Sequence, residues 1–389
     1  MTAARLLCDG VRPTPLPASP RAHSMHGMTL IELMVGLAIG LLVTLVVAQT
    51  LMFFEGQKRT TTGGADAQVN GAIALYTIQR DVQMAGYGLT TSALGIGCPI
   101  KAQRNGVDYT FSLVPVRIDD GASGAPDTIN FMMSDKQFAV PIRITVDHPA
   151  TAANFFVQSA VGVAPGDLMI AVPLTMDANN WCSVLNVSNA NANGNGNGQG
   201  QGQNQVLHNS GNDGPWNQPG GQTIFPAAGY QAGSYMLNVG QLVNRTYSIS
   251  ASNALQLTSF STATAASTTE DLFPHIVNLQ AMYGKDTNGD GVVDAWNNTS
   301  PADLDNAGWR QVIAVRIAVV ARSSTYDQEL VTLAQPTWDV GNAVAVTGTA
   351  TCGASKCLTL KVDGLADWQH YRYKVYDTVV PLRNMLWTM

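Results

Sequence analysis

The stretch that decides the fold runs from Gly27 to Phe54 and reads Gly-Met-Thr-Leu-Ile-Glu-Leu-Met-Val-Gly-Leu-Ala-Ile-Gly-Leu-Leu-Val-Thr-Leu-Val-Val-Ala-Gln-Thr-Leu-Met-Phe-Phe. No charged residue occurs between Leu33 and Val47, and Thr44 is the only polar side chain there. As a helix rising ~1.5 Å per residue, residues 28–54 extend about 40 Å, more than the ~30 Å hydrocarbon core of a bilayer. Because a helix satisfies its backbone hydrogen bonds internally, the stretch predicts a single membrane-spanning helix.

Glu32 is the one charged residue inside the apolar part of this stretch. A carboxylate within a membrane helix is costly unless it pairs with another group or reaches the interface, so such residues are candidates for function. The alternative is that Glu32 lies at the membrane edge and extends to water.

The run from Gly27 to Met34 resembles the N-terminal signature of type IV pilins and pseudopilins. The resemblance implies that a dedicated peptidase cuts between Gly27 and Met28, and that the new N-terminus at Met28 is N-methylated. It also implies that Glu32 pairs with the N-terminal amine of a neighbouring subunit during assembly. Met28 stands where this family most often has Phe.

Simple electrostatics agrees with that role. A cationic amine at Met28 and an anion at Glu32 are each expensive near lipid, and an intermolecular pair neutralises both. Gly36 and Gly40 form a small-xxx-small pair that allows close helix approach.

Residues 1–27 are expected to be a cleaved leader. This segment carries Arg5, Arg12 and Arg21 against one acid, Asp9, and it has no apolar core. Its basic character predicts a cytoplasmic leader and a head on the other side of the membrane.

The composition limits the classes of function. Only 12% of the 389 residues are charged and the net charge is -6, so the chain lacks the basic surface that nucleic acid requires. No nucleophile elbow or paired-histidine metal motif occurs, and an enzyme is not expected. The histidines at 148, 208, 275 and 370 are expected to stand alone.

The fold class expected is α+β, with a long N-terminal helix packed on a β-rich, loop-rich head. The transmembrane part covers 28–54, an amphipathic second half covers 55–88, and the head covers 89–389. In the second half, helical spacing predicts an apolar face for packing on the sheet, comprising Val69, Ile73 and Tyr76 with Leu75, Ile78 and Val82 close by. Arg80 and Asp81 are interpreted as surface charges.

Beyond about residue 107 the apolar period becomes two, which predicts half-buried strands. Leu168, Ile170 and Val172 alternate with other residues in this way, and Ile313 to Val319 predicts a central strand. Further strands are expected at 237–250 and 255–258. Residues 189–221, rich in Asn, Gly and Gln, predict a flexible surface loop, with an adhesive tip as the functional alternative.

The chain has five cysteines, and one of them, Cys8, lies in the leader. The remaining four predict disulfides in an exported head, and three connectivities are possible. Because Cys352 and Cys357 enclose a short loop, we favour that pair, which leaves Cys98 with Cys182.

A second motif begins at Asp286. Residues 286–294 match the first nine positions of an EF-hand-type calcium loop, and 286–297 spans its full length. Its expected Ca²⁺ ligands are Asp286, Asn288, Asp290, the Val292 carbonyl and Asp294. The twelfth position is Asn297, which cannot supply the usual bidentate carboxylate; Asp303 or Asp305 is a possible substitute. The alternative is an ordinary acidic turn between strands.

Four stretches resemble PilW-like minor pilins. They are the Arg80–Gly88 run, the Tyr-Gly and Asp/Gly-rich sequence around residue 286, Trp309 with Val315-Arg316-Ile317, and the closing Pro-Leu-Arg-Asn at 381–384. The resemblance implies a single-pass inner-membrane protein with a periplasmic head, which then joins the type IV pilus on the cell surface.

The partners implied are other minor pilins and the major pilin, the prepilin peptidase and N-methyltransferase, the inner-membrane assembly platform, and lipid before assembly. The function implied is to initiate the fibre at its tip, which would bear on twitching motility. The alternatives are a minor pseudopilin of a type II secretion system, and a tip adhesin.

Overall fold

The computed structural model describes residues 27–91, 93–137, 140–191, 204–209, 214–217, 224–346 and 348–386. The predicted leader lies outside these ranges apart from Gly27. The chain divides into two compact units, Met1–Lys58 and Arg59–Met389, and helix α1, Leu30–Met84, contributes residues to both.

In the first unit, every described residue of α1 up to Lys58 is exposed. Among the described residues, α1 is the one helix long and apolar enough to cross a membrane. The apolar helix predicted for this stretch is therefore present, and its length and composition would allow it to cross a membrane.

The second unit contains two short helices and the strands. The helices are α2, Asn306–Arg310, and α3, Arg383–Leu386. The strands are β1 Cys98–Arg104, β2 Val107–Leu113, β3 Val116–Asp119, β4 Thr128–Ser134, β5 Ile142–Arg143, β6 Asn154–Val157, β7 Leu168–Val172, β8 Cys182–Asn186, β9 Asn189–Asn191, β10 Asn204–Leu207, β11 Tyr235–Gly240, β12 Leu242–Ile249, β13 Ala254–Ser261, β14 Ala266–Pro274, β15 Ile276–Lys285, β16 Ala295–Asn297, β17 Val312–Arg322, β18 Thr337–Gly341, β19 Thr349–Cys352, β20 Ser355–Thr359 and β21 Tyr373–Pro381.

The described strands form five sheets. Sheet A has the order β2-β1-β8-β7-β11-β5, sheet B β14-β13-β12-β4-β3, sheet C β6-β10-β9, sheet D β16-β15-β17-β21 and sheet E β18-β20-β19. The β1–β8 pair is parallel, and the other strand pairs of the described chain are antiparallel. The α+β class is confirmed, and so is the central position of β17, which lies between β15 and β21.

The main core lies where α1 meets the sheets. Ala74, Ile78 and Val82 of α1 are fully buried and pack in one cluster with residues of sheets A, B and D. The predicted packing face is confirmed for Leu75, Ile78 and Val82, which are buried, and it is wrong for Val69, Ile73 and Tyr76, which are 55%, 44% and 63% exposed. Helical spacing places these last three on the opposite side from Ala74 and Ile78. The spacing rule therefore identified the apolar residues of the helix but did not show which of them the head covers.

A glycine allows the helix to approach sheet D closely. A Cβ atom added at Gly71 would lie 2.5 Å from the Tyr376 ring on β21. Any side chain there would push the helix away from the sheet. The small residues of this helix half therefore fix its distance from the head.

The central strands of sheets A and D are buried on both faces. In β7, Leu168, Ile170 and Val172 join the main core, while Met169 and Ala171 join a second core beneath sheet C. The half-buried strand predicted here is therefore wrong, and β7 is buried throughout. The other face of sheet D packs on sheet E through a third core that includes Trp338 and Leu358. A strand that is covered on both faces does not alternate between apolar and polar residues, as a strand with one exposed face does.

The region predicted to be a flexible loop is structured at both of its described sides. Asn189–Asn191 pairs with β10, and β10 pairs with β6. Trp216 is 3% exposed. The prediction of a flexible loop is therefore wrong for the described residues 189–191 and 214–217. The low-complexity residues 192–203, and residues 210–213 and 218–221, lie outside the described residues.

Candidate functional sites

The start of α1 is a capping box. Glu32 Oε2 accepts hydrogen bonds from the Thr29 backbone N–H at 3.0 Å and from the Thr29 hydroxyl at 3.1 Å. The Glu32 N–H donates to Thr29 Oγ1 at 3.3 Å. A Thr N-cap and a Glu at the third helical position satisfy each other's backbone donors in this way.

This geometry gives Glu32 a second role that the sequence analysis missed. The signal was present, because Thr followed three residues later by Glu before an apolar run is a capping-box pattern. Gly27 and Met28 immediately precede the box, and Met28 is 70% exposed. The predicted cleavage point and the predicted assembly carboxylate therefore meet at one helix terminus.

The second half of α1 carries an exposed apolar stripe, defined here as Val69, Ile73 and Tyr76. These residues are three and four positions apart, so they follow one face of the helix. They lie opposite the buried face formed by Ala74, Ile78 and Val82. Exposed apolar residues in a continuous row mark a surface for contact with another molecule.

The end of α1 is fixed to the head by charge and hydrogen bonds. Asp81 is 5% exposed, and its Oδ2 accepts from Arg245 Nη1 at 2.9 Å and from the Tyr247 hydroxyl at 2.8 Å. The interpretation of Asp81 as a surface charge is wrong, while Arg80 is exposed as expected. A carboxylate at this depth requires such partners.

The C-terminal segment caps α1. Asn384 Nδ2 donates to the carbonyls of Ala85 at 2.9 Å and Met84 at 3.3 Å, and the Thr90 hydroxyl donates to the Asn384 carbonyl at 2.8 Å. The last carbonyls of a helix lack partners within it, so an external donor stabilises the end. The closing Pro-Leu-Arg-Asn therefore contacts the Arg80–Gly88 run in the folded chain.

The acidic loop 286–294 connects β15 and β16 as a hairpin loop. The Asp286 carboxylate accepts four backbone N–H bonds, from Asn288, Gly289, Asp290 and Gly291, at 2.6–3.3 Å. Burial alone would raise the pKa of Asp286, but these donors outweigh it and hold the pKa below the usual value. The loop is therefore arranged around one carboxylate, as the first position of a calcium loop requires.

Further oxygens gather beside Asp286. Asn288 Nδ2 donates to Asp290 Oδ2 at 3.1 Å and Asp294 Oδ1 at 3.4 Å, so an electropositive group already lies between two carboxylates. The described ranges contain no group of three His, Cys, Asp or Glu side chains placed to hold a metal. An ion at this loop would also need the Asn288 amide oxygen and the Val292 carbonyl. All of these donors are oxygens, which fits Ca²⁺.

The other acids considered for the loop have different partners. Asp303 accepts from the Ser112 hydroxyl, and Asp305 caps α2 by accepting from the Gly308 N–H at 2.9 Å. Asn297 belongs to β16 and pairs with Tyr283. These observations leave the predicted ligands at 286–294 as a separate set.

Two disulfides join the cysteines in the favoured pairing. Cys98 bonds Cys182 across the parallel β1–β8 contact, with the Cα atoms 5.9 Å apart. Cys352 bonds Cys357 in the β19–β20 hairpin, with the Cα atoms 5.4 Å apart. The first disulfide joins two cysteines that are fully buried, and the second closes the β19–β20 hairpin.

Two histidines that were expected to stand alone are paired. His148 Nε2 and His208 Nε2 lie 3.0 Å apart in the second core, and His148 stacks on Phe155 with ring centroids 3.6 Å apart. Burial lowers the pKa of His148 to about 3 and that of His208 to about 4. No sequence signal joins two residues that are sixty positions apart and lie outside the strands, so the pair was not predictable.

Comparison with known proteins gives two family matches. Residues 241–384 match the family model described as Type IV Pilus-assembly protein W, and residues 23–48 match the prokaryotic N-terminal methylation motif. The first match contains the acidic loop and Asn384, and the second contains Gly27, Met28 and Glu32. The first match also covers residues 323–370. No curated protein sequence matches the chain.

Among solved structures, a type IV-like pilin from Thermus thermophilus is similar, with 9% identity and a TM-score of 0.32. The match covers 82% of this chain and 96% of that one. The family matches confirm the resemblance that the sequence analysis identified at both ends of the chain.

Proposed function

Starting from a PilW-like chain with a prepilin methylation motif and an apolar N-terminal helix, we propose that it is a minor pilin that initiates type IV pilus assembly at the fibre tip. The observation that carries the proposal is the meeting of Gly27, Met28 and Glu32 at one end of α1. Pilin and PilW families are structural proteins, and the chemistry on this chain would be performed by the processing peptidase and methyltransferase.

Cleavage after Gly27 would place a cationic amine on Met28, next to the Thr29–Glu32 capping box. Both recorded bonds from Thr29 reach the same Glu32 oxygen, Oε2. In assembly, the Glu32 carboxylate would receive the amine of a neighbouring subunit while its own helix start stays capped. In a medium of low dielectric constant, pairing these two charges removes the cost that each carries alone.

The exposed stripe on the second half of α1 is a further apolar surface. We propose that Val69, Ile73 and Tyr76 pack against helices of other pilins once the subunit leaves the membrane. Before that step, residues 28–54 would be surrounded by lipid in the inner membrane, with the head in the periplasm.

The test separates the charge of Glu32 from its capping role. Glu32→Gln retains an N3 side chain that can complete a capping box but removes the charge, whereas Glu32→Ala removes both. Native cells carrying each variant are sheared, and the protein is measured in fibre and membrane fractions. We expect wild type in the fibres and both variants in the membrane fraction, with processing at Gly27 unchanged.

Two results would overturn this proposal. Glu32→Gln at the wild-type level in fibres would show that pairing of charges is not needed. Wild type confined to the membrane, with fibres formed normally in its absence, would show that the helix is only an anchor. If cells that lack the protein form normal fibres but fail to secrete proteins, the type II secretion alternative is favoured instead.

We further propose that the acidic loop binds Ca²⁺ and holds the β15–β16 connection in place. The residues proposed to hold it are Asp286, Asn288, Asp290, Val292 and Asp294. Without a carboxylate at position twelve, the affinity should be weak compared with complete loops.

The purified full chain in micelles is melted with Ca²⁺, with Mg²⁺ and with a chelator. We expect only Ca²⁺ to raise the melting temperature, and Asp290→Asn to abolish that rise. An unchanged melting temperature with Ca²⁺ at millimolar concentration would overturn calcium binding.

A further inference from the structure

A cleft of about 290 Å³ lies between sheets A and B of the head. Strand β2 lines one wall, and β4, β12 and β13 line the other. Thr110 and Ser267 on its lining are exposed, so the cleft opens to solvent. Its volume is close to the lower end of the range of small-ligand sites, ~300–1,000 Å³.

One part of the lining is aromatic. Tyr109 and Phe111 project from β2, and Phe260 lies on β13, all of them half-buried. The Tyr109 ring centroid is 5.2 Å from that of Trp216 and 6.0 Å from that of Phe260. The contacts between these rings hold them as a rigid apolar surface that remains partly open to the cleft.

The other part is made of amides and hydroxyls placed by strand register. Asn130 pairs with Thr246, Thr246 pairs with Thr258, and Asn244 pairs with Phe260. Directly opposed residues share one face of a sheet, so these side chains form a single patch. Asn130 Nδ2 donates to Asn244 Oδ1 at 2.6 Å and to Thr246 Oγ1 at 2.8 Å. Such groups both donate and accept hydrogen bonds.

None of the residues that line the cleft is charged. Arg104, beside Trp216, donates to the carbonyls of Thr262 at 2.8 Å and Ala263 at 2.6 Å, so its charge is used in holding the β13–β14 turn. An ionised ligand would lose its hydration without gaining an opposite charge. A purely apolar ligand would cover amides and hydroxyls without satisfying them.

We infer that this cleft binds a small neutral saccharide. The apolar faces of a sugar ring would pack on Tyr109 and Phe260, and its hydroxyls would exchange hydrogen bonds with Asn244, Thr246 and Thr258. Sugars combine an apolar ring face with uncharged hydroxyls, which matches both parts of the lining. The site differs from the low-complexity segment and the acidic loop, and it does not depend on the role in fibre assembly.

The test uses the purified full chain in a detergent without a sugar headgroup. Saturation-transfer NMR is recorded with methyl glycosides of glucose, galactose, mannose and N-acetylglucosamine, and with sialic acid as a charged comparison. We expect at least one neutral glycoside to bind, and sialic acid not to bind. Phe260→Ala should weaken that binding about tenfold, and Thr258→Val should weaken it severalfold.

Ser259→Ala is the matched control, because Ser259 lies between Thr258 and Phe260 and alternation directs it to the opposite face. It should bind as wild type does, and melting curves would show that all three variants fold. No binding of any neutral glycoside, or binding that survives both cleft substitutions in folded protein, would overturn the inference. Preferential binding of sialic acid would also overturn the inference. So would binding of an apolar dye that none of the sugars displaces. Fibre assembly is not measured here, so failure of this test leaves the proposed function untouched.

Discussion

The Tyr247 hydroxyl donates a 2.8 Å hydrogen bond to Asp81 Oδ2 and thereby joins sheet B to the last turn of α1. Burial raises the pKa of Tyr247 far above its usual value, so the phenol is a neutral donor at all physiological pH values. Arg245 shares the same carboxylate oxygen at 2.9 Å. A network of this kind fixes the orientation of the helix on the head, because each member is costly to leave unpaired.

Replacing Asp81 should therefore destabilise the head. We expect Asp81→Ala to lower the free energy of unfolding by about 3 kcal/mol, since it leaves the buried Tyr247 hydroxyl and part of Arg245 without a partner. Urea unfolding of the purified chain in micelles measures the change. Arg80→Ala, one residue earlier but exposed, is the control and should change stability by less than about 0.5 kcal/mol. Equal losses for both would contradict the proposed network.

The exposed stripe of α1 should matter for assembly and not for folding. Ile73→Lys places a charge where we propose helix–helix packing, so we expect the protein to leave the fibre fraction. Its melting temperature should match wild type, because the side chain is 44% exposed. Gln68→Lys, exposed but about 100° away from Val69 around the helix, is the control and should assemble normally. Normal incorporation of Ile73→Lys would show that the stripe faces solvent in the fibre.

The His148–His208 pair should make the second core sensitive to acid. Both pKa values are depressed in the folded state, so the folded chain binds fewer protons than the unfolded chain, whose histidines titrate near ~6.5. Their contribution to stability is complete above that pH, and it is lost as the pH falls toward about 4 for His208 and about 3 for His148.

Melting curves at pH 7.5, 6 and 5, for wild type and His208→Gln, measure this contribution. Glutamine can still hydrogen-bond His148 but does not titrate, so the variant should lose less stability on acidification. The difference between the curves cancels other groups, including Asp127, whose burial raises its pKa to about 7 and acts in the opposite direction. Parallel curves would refute the role of the pair.

Asp286 should stabilise the acidic loop even without a metal. Asp286→Ala leaves four backbone N–H groups without their acceptor, and we expect a lower melting temperature in the presence of a chelator. Asp290→Asn should cost less than about 1 kcal/mol under the same conditions, because Asn can still accept from the Val292 N–H. Since the pKa of Asp286 is lowered, its contribution is present above about pH 4 and disappears as the pH falls through the folded-state value. Similar small losses for both variants would show that the loop does not depend on Asp286.

Local patterns predicted what depends on local physics. The helix from Leu30 follows from unbroken apolar sequence, and the central strand β17 follows from alternation. The Cys352–Cys357 hairpin follows from a short spacing. The Gly27–Glu32 signature indicated the family because its residues are close together in the sequence.

Features that depend on distant residues could not be predicted. Met169 and Ala171 are buried only because sheet C covers them, and Asp81 is buried only because β12 brings Tyr247 and Arg245 to it. Helical spacing shows which face of a helix is apolar, but it does not show what covers that face. The stripe of Val69, Ile73 and Tyr76 was therefore wrongly assigned to packing on the head. The His148–His208 pair and the cleft likewise bring together residues that are far apart in the sequence.

The contact between Asn384 and the end of α1 has a consequence for biosynthesis. The end of the helix at Ala85 precedes its cap, Asn384, by 299 residues, and the strand β21 that completes sheet D ends only at Pro381. Until β21 arrives, β17 presents an open edge of apolar strand, and such edges invite pairing with other chains. The native head can close only after both β21 and Asn384 are available, and contacts over such separations form slowly. A factor that shields the open edge of β17 until then would therefore benefit this protein more than a faster-folding helical one.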